Sequence, residues 1–130
     1  MKLTIPFYLH KVGAGFPSPA TDYIEDDIDL NSHLITNAPA TFIIRVQGKS
    51  MTNVGIYDGD LLIVDKSLNP KNFSTVIANV NEELVVKTLI KGKETNYLTS
   101  GSKNTSDRIS LTDNPEVIIW GVVTYVIHKQ

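Results

Sequence analysis

Two side chains stand out for the chemistry their surroundings would permit. Lys87 lies in Leu84-Val85-Val86-Lys87-Thr88-Leu89-Ile90, an apolar run in which a charged amine is an odd occupant. In an extended strand residues two apart share a face, so Lys87 joins Val85 and Leu89, while Val86 and Thr88 lie on the other side. Two readings stand open. A lysine at a sheet edge can lay its stem along apolar surface and keep its amine in water. A lysine drawn out of water is disfavoured as the cation, and the neutral amine is a general base. Ser50, in Val46-Gln47-Gly48-Lys49-Ser50-Met51, sits after a predicted strand at a glycine-marked bend, before a predicted short helical turn. Locally it reads as an N-cap serine; with a base beside it, it becomes a nucleophile. The nucleophile elbow of the α/β-hydrolases is excluded, because position 52 is Thr rather than Gly.

Other chemistries find less support. The three histidines, His10, His33 and His128, have no local motif around them, so neither a Ser-His-Asp triad nor a histidine metal site is expected. The absence of cysteine rules out disulfides and thiolate metal ligands. An acidic stretch, Glu25, Asp26, Asp27 and Asp29, lacks helper ligands at a recognisable spacing and reads as a solvated loop or helix start. No cofactor and no metal are expected.

The elements that must position these residues are mostly strands. The chain divides into an arm, residues 1–39, and a body, residues 40–130. The arm holds Gly13-Ala14-Gly15-Phe16-Pro17-Ser18-Pro19-Ala20, which its prolines keep extended. From Ala40 onward, strands are predicted at Thr41–Val46, Leu61–Val64, Thr75–Val80, Leu84–Ile90, Tyr97-Leu98, Arg108–Leu111 and Val117–Ile127. The third and fourth form a hairpin across Asn81-Glu82-Glu83. Short apolar runs between polar turns argue for a mainly β body, with helix confined to a turn after Ser50 and another in the arm.

Bulk properties bound the function. One domain of 130 residues, 42% hydrophobic and 20% charged, is an ordinary globular composition. A net charge of −2 lacks the basic excess that phosphate contacts require, so direct sequence-specific DNA binding is disfavoured. No apolar run reaches the roughly 20 residues of a spanning helix, and the first residues lack a secretory apolar core, so no membrane association and a cytoplasmic location are expected.

In combination the pieces resemble a known family. Gly48-Lys49-Ser50-Met51, followed by Gly55-Ile56-Tyr57-Asp58-Gly59-Asp60-Leu61-Leu62-Ile63-Val64-Asp65, resembles the nucleophile region of the LexA/UmuD peptidases. Val85-Val86-Lys87-Thr88-Leu89, 37 positions beyond the serine, resembles the strand that carries the family's lysine base. Ala14-Gly15 resembles its self-cleavage site. The sequence Gly15-Phe16-Pro17-Ser18-Pro19-Ala20, with Tyr23, Asp29-Leu30 and Trp120-Gly121-Val122-Val123, is similar to the UmuD branch. Two features depart from the family: only 14 residues precede the scissile bond, and the hairpin turn Asn81-Glu82 lacks the usual glycine. No helix-turn-helix precedes the body, which speaks against a LexA-type repressor.

The resemblance implies a mainly β peptidase fold of small twisted sheets with an extended N-terminal arm. It implies a Ser50/Lys87 dyad, cleavage between Ala14 and Gly15, and an oxyanion site at the backbone N–H groups of Ser50 and Met51. It also implies an SOS-response role: stimulation by the RecA filament on single-stranded DNA, a homodimer, and service as accessory subunit to a Y-family polymerase in translesion synthesis. The alternatives are a non-enzymatic β-module that binds a polymerase or another protein, and a repressor fragment of the same class. A signal peptidase uses similar chemistry but requires a membrane anchor.

Overall fold

The computed structural model describes residues 3–8, 24–101 and 107–130. Contacts divide the chain into two units, one ending at Thr36 and one beginning at Asn37. In the first, β1 (Thr4–Tyr8) pairs antiparallel with β2 (Ile24–Asp29), and a short helix, α1 (Leu30–Leu34), follows directly. The acidic stretch expected to be a loop or helix start is therefore largely a strand. Pairing with β1 satisfies its backbone, which a polar sequence without apolar alternation does not advertise. Its last member, Asp29, does start the helix: its carboxylate accepts from the Asn31 N–H at 3.2 Å and the Ser32 hydroxyl at 3.0 Å.

Among the described residues, the second unit forms one continuous sheet of seven strands. They are β3 (Thr41–Arg45), β4 (Leu61–Asp65), β5 (Thr75–Val80), β6 (Glu83–Lys91), β7 (Asn96–Thr99), β8 (Ile109–Ser110) and β9 (Ile118–Ile127), ordered β3-β4-β9-β5-β6-β7-β8. Every pairing is antiparallel. The mainly β expectation is borne out, strand by strand, because β-branched runs bounded by polar turns carry a local signal. The short helical turn expected after Ser50 is a 3-10 turn at Thr52–Val54.

Two apolar clusters lie within this unit. The first contains Val46, Met51, Ile56, Leu62, Val64 and Ile77, with Val86 and Trp120 packed against it. The second contains Val76, Ala78, Leu89 and Leu98, with Val85 and Ile119 against it. β6 thus alternates between them, Val86 toward one and Val85 and Leu89 toward the other. Gly121 permits close approach of β9 to β4, since a Cβ there would overlap the Val64 side chain.

The β5–β6 turn explains one departure from the family pattern. Asn81 (φ 52°) and Glu82 (φ 67°) both adopt the left-handed conformation that a two-residue hairpin with type I′ twist demands. Asparagine tolerates it; glutamate is strained there. Replacing Glu82 with Gly is expected to raise the unfolding free energy by about 0.5–1 kcal/mol, net of the added freedom of the unfolded chain. Urea denaturation checks this, and an unchanged or lowered midpoint would contradict it.

Candidate functional site

Ser50 is held by its neighbours rather than by a long helix. Met51, directly after it, is 2% exposed and belongs to the first cluster, while Ser50 itself is exposed. One apolar anchor thus pins the serine at the surface. The chain before and after it is laced together. Val46 N–H donates to Asp60 O at 2.8 Å, Gly59 N–H to Val46 O at 2.9 Å, and Gly48 N–H to the Asp58 carboxylate at 2.8 Å. Gly48 (φ 103°) and Gly59 (φ 87°) take conformations that side chains disfavour, which is why glycine stands at both bends. The run Asp58-Gly59-Asp60 therefore clamps the segment that presents Ser50.

The clamp reaches the C-terminal end of the chain. Buried Asp60 accepts from Tyr57 N–H at 2.8 Å, and its other oxygen lies 2.6 Å from His128 Nδ1. The His128 ring also packs on Tyr57, with centroids 5.3 Å apart. Nothing in the sequence near His128 announces this, since its partner lies 68 positions away.

Lys87 is placed by β6. Val76 of β5 lies opposite it on one side. On the other, β7 begins pairing only at Thr88, opposite Thr99, and continues to Lys91. Glu83–Lys87 therefore form an open strand edge among the described residues. That edge and the segment Ile44–Gly48 with Ser50 and Met51 line one cavity of about 390 Å³. Lys87 and Ser50 both line this space. They are not hydrogen-bonded to each other. Lys87 Nζ donates instead to Ser100 Oγ at 3.0 Å and pairs with the Asp107 carboxylate at 3.3 Å. Its side chain is 16% exposed, so it is neither an edge lysine reaching into water nor an unpaired buried amine.

Ser100 links the two halves of the site. The next residue, Gly101, lies against the Asn53 side chain, three positions past Ser50, and a Cβ on Gly101 would overlap that amide. The segment that receives the lysine thus leans on the turn that carries the serine. Among the described residues, the N–H groups of Ser50 and Met51 have no backbone acceptor, whereas Thr52 N–H is committed to Lys49 O at 3.3 Å. Those two donors are free to meet a ligand oxygen. Ala14 and Gly15 lie outside the described residues.

Comparison with known proteins identifies the family. The Peptidase S24-like family matches residues 6–124. The chain belongs to that family. It is 41% identical over 124 residues to Protein ImpA of Salmonella typhimurium, covering 95% of this chain and 83% of ImpA. It is 39% identical over 122 residues to Protein MucA of Escherichia coli, covering 94% of this chain and 83% of MucA. The LexA repressor of Glaesserella parasuis is 40% identical over 88 residues, covering 68% of this chain and 42% of the repressor. The resemblance read from the sequence, to the UmuD branch of the LexA/UmuD peptidases, is borne out. Membership carries the general character of the family: serine peptidases that cleave themselves, in the SOS response to DNA damage. No helix among the described residues is long and apolar enough to cross a membrane.

The Asp60 clamp makes stability depend on acid. The Tyr57 N–H first, and the His128 contact with it, hold the Asp60 carboxyl below its usual range, against the opposing effect of burial. A carboxyl depressed in the folded state contributes stability above its unfolded value, and that contribution is lost as pH falls through the folded value. Asp60→Asn is therefore expected to lower the melting temperature at pH 7, with the gap from wild type closing below about pH 4. A melting-temperature gap that stays constant down to pH 3 would show that Asp60 acts without its charge.

Proposed function

We propose that this protein cuts its own chain between Ala14 and Gly15 through Ser50 and Lys87, and that the cut form serves as accessory subunit of an error-prone translesion polymerase. The observation that carries the reading is a single cavity lined by both Ser50 and Lys87, in a chain of the self-cleaving family. Ser50 Oγ attacks the carbonyl carbon of Ala14 while neutral Lys87 takes its proton. Lys87 then passes that proton to the departing amine of Gly15. Water hydrolyses the Ala14 ester on Ser50 and restores the serine. The Ser50 and Met51 N–H groups stabilise the oxyanion.

The open edge of β6 supports a peptide substrate. Unpaired N–H and C=O groups along Glu83–Lys87 suit an extended segment that adds as a strand. Ala14 and Gly15 are small enough for close approach to the serine, and the prolines beyond them keep the segment extended. For the reaction Lys87 must leave Ser100 and Asp107 and reach Ser50, a swing its flexible four-carbon stem allows.

Control of such a reaction belongs to the SOS machinery in this reading. The RecA filament on single-stranded DNA favours the cleavage-competent conformation, and a Y-family polymerase subunit receives the product. A homodimer is supported by exposed apolar residues on β3 and β9, the strands on either side of β4 at one edge of the large sheet. Ile43 of β3 is 59% exposed, and Tyr125 and Ile127 of β9 are 41% and 42% exposed. A second copy of the chain is the occupant that would cover them.

The test follows intact mass over time, with the protein incubated on RecA filaments and, separately, alone at alkaline pH. Wild type is expected to lose residues 1–14, and Ser50→Ala and Lys87→Ala to stay whole. Wild type that stays whole in both conditions would overturn the self-cleavage reading in favour of a non-enzymatic binding module.

A further inference from the structure

The Lys87 amine has a built seat away from the serine. Extending the Thr88–Thr99 pairing by one position puts Ser100 opposite Lys87, and the amine donates to its hydroxyl at 3.0 Å. Ser100 is buried, and its own N–H donates to Asp107 Oδ1 at 3.2 Å. The second carboxylate oxygen takes the Lys87 ammonium at 3.3 Å. Burial pushes the Asp107 carboxyl up, but the Ser100 hydroxyl, the Ser100 N–H and Lys87 outweigh it and hold the group below its usual range. Asp107 is therefore ionised at neutral pH, and the amine is engaged by this carboxylate and the Ser100 hydroxyl, not by Ser50.

Among the described residues, the other groups around Lys87 do not compete for this role. Val76, opposite on β5, is apolar. Arg45 lines the same cavity but donates to Gly59 O at 3.0 Å. Glu83 lies four residues back along β6, about 13 Å away at strand spacing. Lys49, beside Ser50, is exposed and does not line the cavity.

We propose that Asp107, held by Ser100, is a positioning residue that restrains self-cleavage by holding the Lys87 amine away from Ser50. The inference rests on the reading of Lys87 as the base. On release from Asp107 the amine is free to swing to Ser50. With the two side chains 16% and 33% exposed, solvent screens the pair, so the restraint is modest, about tenfold in rate at most.

The experiment measures self-cleavage against pH for wild type, Asp107→Asn and Asp107→Glu. Asp107→Asn is expected to cleave about two- to tenfold faster near pH 7.5. Asp107→Glu, which keeps the charge, should stay close to wild type. Equal or slower cleavage by Asp107→Asn overturns the restraint. A second readout needs no cleavage: in Ser50→Ala protein, the Lys87 Cε resonance should move once Asp107 is Asn. An unmoved resonance overturns the inference even where the dyad is right. Wild type that never cleaves at any pH overturns the dyad reading instead, and the resonance separately reports whether the contact exists.

Discussion

β6 has β5 beside it along most of its length, but β7 beside it only from Thr88 to Lys91. Where that second neighbour begins decides the rest of the site. Before Thr88 the backbone of Glu83–Lys87 stays open toward the cavity, and after it Leu89 and Leu98 close the second apolar cluster. Lys87 sits at the junction, the last residue of the open edge. A strand paired on both sides throughout would leave no room for a peptide to add. One unpaired throughout would lose the register that puts Ser100 opposite Lys87. Exposed edges invite unwanted pairing, and this one is short and turned toward a cavity instead of flat solvent.

The serine side obeys a different constraint. Ser50 must be accessible, yet an accessible residue on a short turn has little packing of its own. The structure supplies the missing rigidity from both directions. Met51 buries its side chain immediately next door, and Asp58, Gly59 and Asp60 bind the approaching strand through backbone contacts. Asp60 then ties this assembly to His128. Shortening the chain at its C-terminal end would thus loosen the turn that presents Ser50, although the two are far apart in sequence.

How much of this could be read from the residues follows from the range of each interaction. The strands were legible because β-branched runs and polar turns are local signals, and the bend that carries Ser50 was marked by Gly48. Ser50 and Lys87 could be singled out because each is unusual among its immediate neighbours. The β1–β2 hairpin was not legible: Glu25-Asp26-Asp27 looks like a solvated loop until its backbone partner is known. Nor were the partners of Lys87, which lie 13 and 20 positions away, or the His128 contact with Asp60. Such contacts depend on register, and register is set by the whole sheet rather than by any one segment.

The relative sizes of two effects decide where control must lie in a self-cleaving chain. Tethering a substrate to its enzyme gives effective concentrations of about 10⁵–10⁸ M when the geometry is right. The contact with Asp107 is partly solvated, so the restraint proposed for it is about tenfold at most. A tenfold restraint cannot hold back a reaction with that advantage. On the proposed reading, the larger barrier must be conformational: a docked state that is rarely populated until something stabilises it. An effector that binds the docked form better than the undocked form shifts this population by its differential affinity, and no more. In that reading Asp107 sets the threshold within the docked population, because the proposed base is still engaged by Asp107 and Ser100 when a substrate segment arrives.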